Sequence, residues 1–220
     1  MKIIKLTVSI LTVILIILFN HSFAGEKIDI IHDPSKSNLY SICISLSFSE
    51  IAEQRAKFAQ RIQKIYDTNR LKLTYVDNGE FWQNPHITIA MFEKVIVEDI
   101  EKFEGIFEQL KKINVEFKPS SYSFFGRGDQ LVAMTNTSAA IKIKELNSQV
   151  IDWVEGNIES TLYKIARNNT KKNFNPHLSL NTTVTDKNLK YSLGRALHKS
   201  LSHTTINLGQ VVITATNQWS

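Results

Sequence analysis

The chain has 220 residues, 26 Lys+Arg against 21 Asp+Glu, a net charge of +5 and 43 % hydrophobic content. Its one cysteine, Cys43, excludes an intrachain disulfide and a cysteine metal cluster. The mild basic excess tolerates an anionic ligand without by itself implying nucleic-acid binding.

The first residues read as a leader. Lys2 and Lys5 precede an apolar run over 6–19, and Ser22-Phe23-Ala24 stands before Gly25. This is the pattern of a secretory signal peptide cleaved after Ala24, and the run is shorter than the ~20 apolar residues of a membrane span. Its loss takes two lysines away and leaves +3. The expectation is a signal peptide over 1–24 and a single domain over 25–220, exported to the periplasm or beyond, with retention of the segment as an N-terminal anchor the alternative. That domain would have no stable membrane association after cleavage and would be a monomer.

Residues 25–37 are polar and read as a loop. Over 39–48, Tyr40, Ile42, Ile44, Leu46 and Phe48 alternate with Ser41, Cys43, Ser45 and Ser47, which predicts a strand. A helix is expected from Ser47 or Ser49 through 66, then a strand over 70–76, a turn at Asp77-Asn78-Gly79 and a strand over 85–92. Val97, Ile100, Phe103, Phe107 and Leu110 give a helix over 97–112. Strands follow at 113–117 and 130–136, and a long helix over 138–165 carries Ile143, Leu146, Val150, Trp153, Ile158 and Leu162. The last elements are a strand over 176–183, a helix over 185–200 and a strand over 204–216. The apolar phase of that last strand slips at Gly209, as at a β-bulge. The order of elements is roughly β-α-β-β-α-β-β-α-β-α-β.

The most informative feature is a repeated hexapeptide. Asn-Pro-His-Ile-Thr-Ile at 84–89 returns as Asn-Pro-His-Leu-Ser-Leu at 175–180. Strand alternation puts His86 and Thr88 on one face, and His177 and Ser179 on one face, about 6–7 Å apart along each strand. His-x-Ser/Thr alone is weak, because His198 and His203 match it too. Strand context and the shared Asn-Pro lead separate the first two. A lone strand histidine is as often structural as functional, but recurrence of all six positions in one chain is harder to dismiss. Two imidazoles that titrate near neutrality and two hydroxyl donors suit acid–base chemistry on a phosphodiester.

With these residues in view, the chain resembles the two-histidine phosphoesterase superfamily, which includes 2′,5′ RNA ligase-like proteins and cyclic nucleotide phosphodiesterases. The resemblance rests on His86/Thr88 and His177/Ser179, half a chain apart. It implies a bilobal α+β fold, with two small antiparallel sheets and flanking helices about a central cleft in pseudo-twofold arrangement. It implies phosphodiester hydrolysis with no cofactor and no metal, on a nucleotide or short RNA-type substrate, with the four motif residues catalytic. Tyr122, Phe125 and Arg127 are candidates to bind substrate, the aromatics by stacking on a base and the arginine at phosphate, although aromatics beside a strand are more often core. Lys171 and Lys172 fit a solvated loop better than a phosphate site. Rival readings are an RNA 2′,5′ ligase or RNA-end enzyme, and a non-catalytic nucleotide- or RNA-binding module.

Overall fold

A computed structural model of the chain describes residues 27–48, 60–61, 64–65, 67–68, 86–125, 130–160, 162–183, 187–201 and 203–218. The leader, the start of the helix expected through 66, the strand over 70–76 and the turn at 77–79 lie outside the described residues. Within them the fold is α+β, with two sheets. The strands are β1 (Asp29–Ile31), β2 (Leu39–Phe48), β3 (Ile87–Ile96), β4 (Val115–Phe117), β5 (Pro119–Phe125), β6 (Gln130–Thr135), β7 (Lys164–Ile165), β8 (His177–Thr183) and β9 (Ile206–Thr216). The helices are α1 (Val97–Ile100), α2 (Gly105–Leu110), α3 (Thr137–Asn157) and α4 (Lys187–Leu201), with a 3₁₀ turn at Glu101–Glu104 between the first two.

The larger sheet runs β1-β9-β2-β3-β7, and β4 also pairs with β9. The smaller one runs β5-β6-β8. Alternation in β2 decides which face of the large sheet is core. Ile42, Ile44 and Leu46 stand opposite Ala215, Ile213 and Val211 on one side, and Ile42 and Leu46 stand opposite Phe92 and Ile87 on the other. All of them are buried in one hydrophobic cluster, joined by Ile143, Val150 and Val154 of α3 and Leu193, Leu197 and Leu201 of α4. Full burial of each such aliphatic side chain contributes about 1.5–3 kcal/mol, which is what holds two short sheets and their helices together. Phe92 sits at the centre, its ring edge-on to Phe103 at 5.5 Å and to Tyr163 at 5.8 Å.

Several details differ from the sequence expectation. The stretch 29–31, read as loop, forms β1 in parallel with β9 (Asp29 opposite Thr214). It is tied there by Asn217, which accepts from the Asp33 amide at 2.8 Å and donates to the carbonyls of Asp33 and Ser37 at 2.8 and 3.0 Å. Residues 119–125, left between two strands, are themselves a strand, because β6 supplies a hydrogen-bonded partner along their length. The long helix stops at Asn157, and Ile158 is extended (φ −106°, ψ 105°). Ile158 is still buried, whereas Leu162 is 56 % exposed and outside the helix. The bulge at Gly209 is present: Ser47 faces Gln210 and Phe48 faces Leu208, leaving Gly209 unopposed.

Gly105, at the start of α2, shows how closely the helices approach. A Cβ there would lie 2.5 Å from Cζ2 and 2.8 Å from Cη2 of Trp153 on α3. Backbone strain is not the issue, since φ is −58°. Gly105→Ala would gain about 1 kcal/mol of helix propensity and lose about 1–3 kcal/mol to overpacking against a bulky ring. Net destabilisation is expected, seen as a lower urea midpoint; an unchanged or raised midpoint would show that the indole moves aside freely.

Candidate functional site

The polar face of the large sheet is where the site forms. On the side of β2 away from the core, Ser45 stands opposite Thr88 and Val212, Cys43 opposite Met91 and Thr214, Ser41 opposite Thr216, and Ser47 opposite Gln210. Directly opposed residues of antiparallel strands share a face, so hydroxyls dominate this one. A bulge in β3 about Ile89 restores the phase: Ala90 pairs with Ile44 and Thr88 with Ser45. Thr88 is thereby turned to the polar face while Ile87 and Ile89 are both buried. Cys43 is buried, its Sγ 3.8 Å from the Thr88 hydroxyl, and burial pushes its thiol up to about 12 against the opposing effect of that hydroxyl. It is a packed small side chain and not a nucleophile.

The second motif lies on the small sheet. Ser179 stands opposite Val132, which stands opposite Ser123; His177 stands opposite Met134, which stands opposite Ser121. These residues share the face away from the core, since Leu178 and Ala133 between them are buried in it. The two sheets meet at the motifs themselves. His86 forms an antiparallel bridge with Ser179, and the Ser179 amide donates to the His86 carbonyl at 3.0 Å. His86 and Ser179 therefore sit side by side on one face. His177 precedes Ser179 by two residues on β8, which sets it on the diagonal from His86, a relation for which about 7–8 Å between backbones is usual. The hexapeptide copies, 91 residues apart, are thus joined through His86 and Ser179 where the two sheets meet.

The rings differ in setting. His86 is 2 % exposed, whereas His177 is partly exposed. His177 Nδ1 lies 2.8 Å from the Asn175 carbonyl oxygen. A carbonyl only accepts, so Nδ1 carries the proton and the neutral ring keeps its lone pair on Nε2. Burial holds the His177 pKa below the usual histidine value of 6.5, opposed by the Asn175 carbonyl. Asn175 thus orients the ring as well as leading into the strand.

Asn147, on the apolar face of α3, secures the junction. Its Nδ2 donates to the carbonyls of Ile89 at 2.7 Å and Asn169 at 2.9 Å. This satisfies β3 where it leaves β8 and before the Met91 carbonyl accepts from the Ala166 amide at 2.9 Å. The loop that leads to His177 is held against the strand that follows His86. Sequence reasoning passed over this residue. Its signal was a polar side chain inside an apolar helical stripe, three residues before Val150 and four after Ile143.

The remaining candidates fare unevenly. Tyr122 stands opposite Ala133, and Ala133 opposite Leu178, so it lies on the core face of the small sheet, away from the histidines. Its phenol is pushed up by burial and its oxygen has no hydrogen-bond partner. The strand over 119–125 thus sets Tyr122 on the opposite face of the sheet from His177, in keeping with the core reading of such aromatics. Phe125 ends β5, and its side chain and Arg127 lie outside the described residues. Lys171 pairs with Asp152, in keeping with a solvated loop. Among the described residues, no three His, Cys, Asp or Glu side chains are grouped so as to hold a metal ion.

No protein-family model matches the chain, and no curated protein matches it. Among solved structures it is similar to that of Kluyveromyces marxianus Usb1, with a TM-score of 0.44 and 12 % identity, over 84 % of this chain and 96 % of that one. It is similar also to Kluyveromyces marxianus Usb1 with uridine monophosphate, with a TM-score of 0.43 and 12 % identity, over 83 % and 96 %. Likeness of this extent assigns no role to any residue.

Proposed function

We propose that the chain is a metal-independent phosphodiesterase acting on a small nucleotide-type ester: a cyclic nucleotide, a 2′,3′-cyclic phosphate end or a 2′,5′ linkage. The observation that carries this reading is the hydrogen bond between Ser179 and His86, which joins the two hexapeptide copies on one polar face. In the proposed reaction His177 Nε2 takes a proton from water, and the water oxygen attacks phosphorus. His86 gives a proton to the departing ribose oxygen as the phosphorus–oxygen bond breaks. Thr88 and Ser179 donate to the non-bridging oxygens as charge builds there. The roles follow from setting: His177 is partly exposed, with its lone pair on Nε2 and its pKa lowered.

A base whose pKa lies below 6.5 is neutral, and active, above that value. The acid limb of kcat/KM for 2′,3′-cyclic nucleotides, measured in chelator, is therefore expected below pH 6.5. A limb above 6.5 would remove His177 as the base, and no turnover by the wild-type chain across the three ester classes would remove the reading itself. Tight nucleotide binding without turnover would favour the non-catalytic module, and joined rather than cleaved RNA ends would favour the ligase.

The proposal takes 25–220 as a single monomeric domain, exported after loss of residues 1–24. The protein recovered from a secreting host is expected to begin at Gly25 by intact mass. A mass that retains the leader would contradict cleavage.

A further inference from the structure

Along β5, which forms the edge of the small sheet farthest from β8, β5 and α4 border an open groove of about 780 Å³ that Ser120 and Ser121 also line. Tyr122 and Phe124 form one wall. The other is α4, where Tyr191, Arg195 and Lys199 follow at four-residue spacing and so make one row, with Lys190 beside them. Lys190 Nζ lies 5.3 Å from the centre of the Phe124 ring, and the Arg195 guanidinium lies 4.2 Å from that of Tyr191. Arg195 also donates to the Tyr191 hydroxyl at 2.5 Å. A second cavity, of about 570 Å³, shares Lys199 and adds Arg61 and Lys64. No carboxylate lines either cavity among the described residues.

Core packing accounts for Tyr122 and Phe124 but not for the outer row of α4. α4 already buries Leu193, Leu197 and Leu201, yet Tyr191 is left 67 % exposed beneath a cation. Aromatic rings interleaved with cations along a trough suit a ligand with flat π-faces and repeated negative charge. A duplex hides its base faces within the stack, and a membrane surface does not follow a concave groove between a strand and a helix.

We propose that this groove is a binding site for single-stranded nucleic acid, distinct from the histidine patch. Bases stack on Tyr191 and Phe124, phosphates meet Lys190, Arg195 and Lys199, and the strand continues over the second cavity to Arg61 and Lys64. The site does not rest on the chemistry of the histidines, so its test reads binding alone.

The test is fluorescence anisotropy of a labelled 12-nucleotide oligouridylate with the full chain over a range of salt. The wild type is expected to bind it more tightly than a duplex of equal charge or vesicles of anionic lipid. Tyr191→Ala is expected to weaken binding about tenfold. Replacing Lys190, Arg195 and Lys199 together by glutamine is expected to flatten the slope of log affinity against log salt by about 2, at roughly 0.7 per phosphate contact. Because a triple variant can lose its fold, photocrosslinking of 5-bromouridine-labelled strand to the wild type gives an independent answer, expected in peptides of β5 and α4. The proposal is overturned by absence of single-strand binding, by equal binding of duplex or vesicles, or by crosslinks confined to β3 and β8.

Discussion

Replacing either His177 or His86 by alanine is expected to lower turnover of a 2′,3′-cyclic nucleotide by about 10²–10⁴-fold, the usual worth of one positioned proton-transfer group. The two losses are not expected to multiply in the double variant, since an acid without its base leaves little to lose. Stability should respond differently. His177 is partly exposed and its Nδ1 bond runs to a local carbonyl, so its removal should shift the melting midpoint little. His86 is buried, so its removal costs about 1–3 kcal/mol as well. His86→Gln, which keeps bulk and hydrogen-bonding capacity, separates the two effects: it should recover stability and not turnover. Wild-type rates in both alanine variants would show that these residues take no part in the chemistry, whatever their proximity.

Asn147→Ala is expected to be the most damaging polar substitution outside the motifs. It strips the only side-chain donor that the described residues supply to two carbonyls, those of Ile89 and Asn169, in a site where Asn147 itself is 1 % exposed. A buried carbonyl left unpaired costs about 1–3 kcal/mol. The Ile89 carbonyl is buried and the Asn169 carbonyl only partly so, so a loss of about 1–3 kcal/mol is expected, or a fall of roughly 3–10 °C in midpoint for a chain of this size. The orientation of the amide is not in question, because only its nitrogen can donate to both carbonyls, and its Oδ1 is left buried without a partner. Asn147→Leu distinguishes polar loss from lost volume. It fills the space but pairs neither carbonyl, so it should be no better than alanine. If leucine restored the midpoint, the cavity and not the hydrogen bonds would be the cause. Well below the midpoint, slackening of the segment before β8 should also lower turnover, since displacement of a catalytic group by about 1 Å can cost 10²-fold.

Much of this architecture was legible in the residues. The alternation of β2 announced one apolar and one serine-rich face, and both are present. The phase slip at Gly209 marked a bulge that the pairing of Ser47 with Gln210 and Phe48 with Leu208 requires. Leu193, Leu197 and Leu201, at four-residue spacing in α4, are buried on one side of it. These are local matters, in which side-chain period and backbone freedom decide the outcome over a few residues.

Misreadings arose where the partner mattered more than the segment. Residues 29–31 carry no strand pattern of note, and become β1 because the edge of β9 offers its hydrogen-bonding groups to them. Residues 119–125 are a strand because β6 lies alongside, and that same pairing turns Tyr122 toward the core and away from the histidines. Ile158 looks like the next apolar turn of α3, yet the chain leaves the helix there and buries the side chain in extended backbone.

The hexapeptide repeat by itself established what each half of the patch contains: one imidazole and one hydroxyl, held on the same side of a strand by the two-residue period. That requires only the geometry of a single extended chain. Whether the halves meet was settled by tertiary structure, through the bridge of His86 to Ser179 and the reach of Asn147 from α3. The edges of two different sheets come together there because the core cluster packs their apolar sides against the same helices. A contact between residues 93 apart in sequence has no local period to betray it.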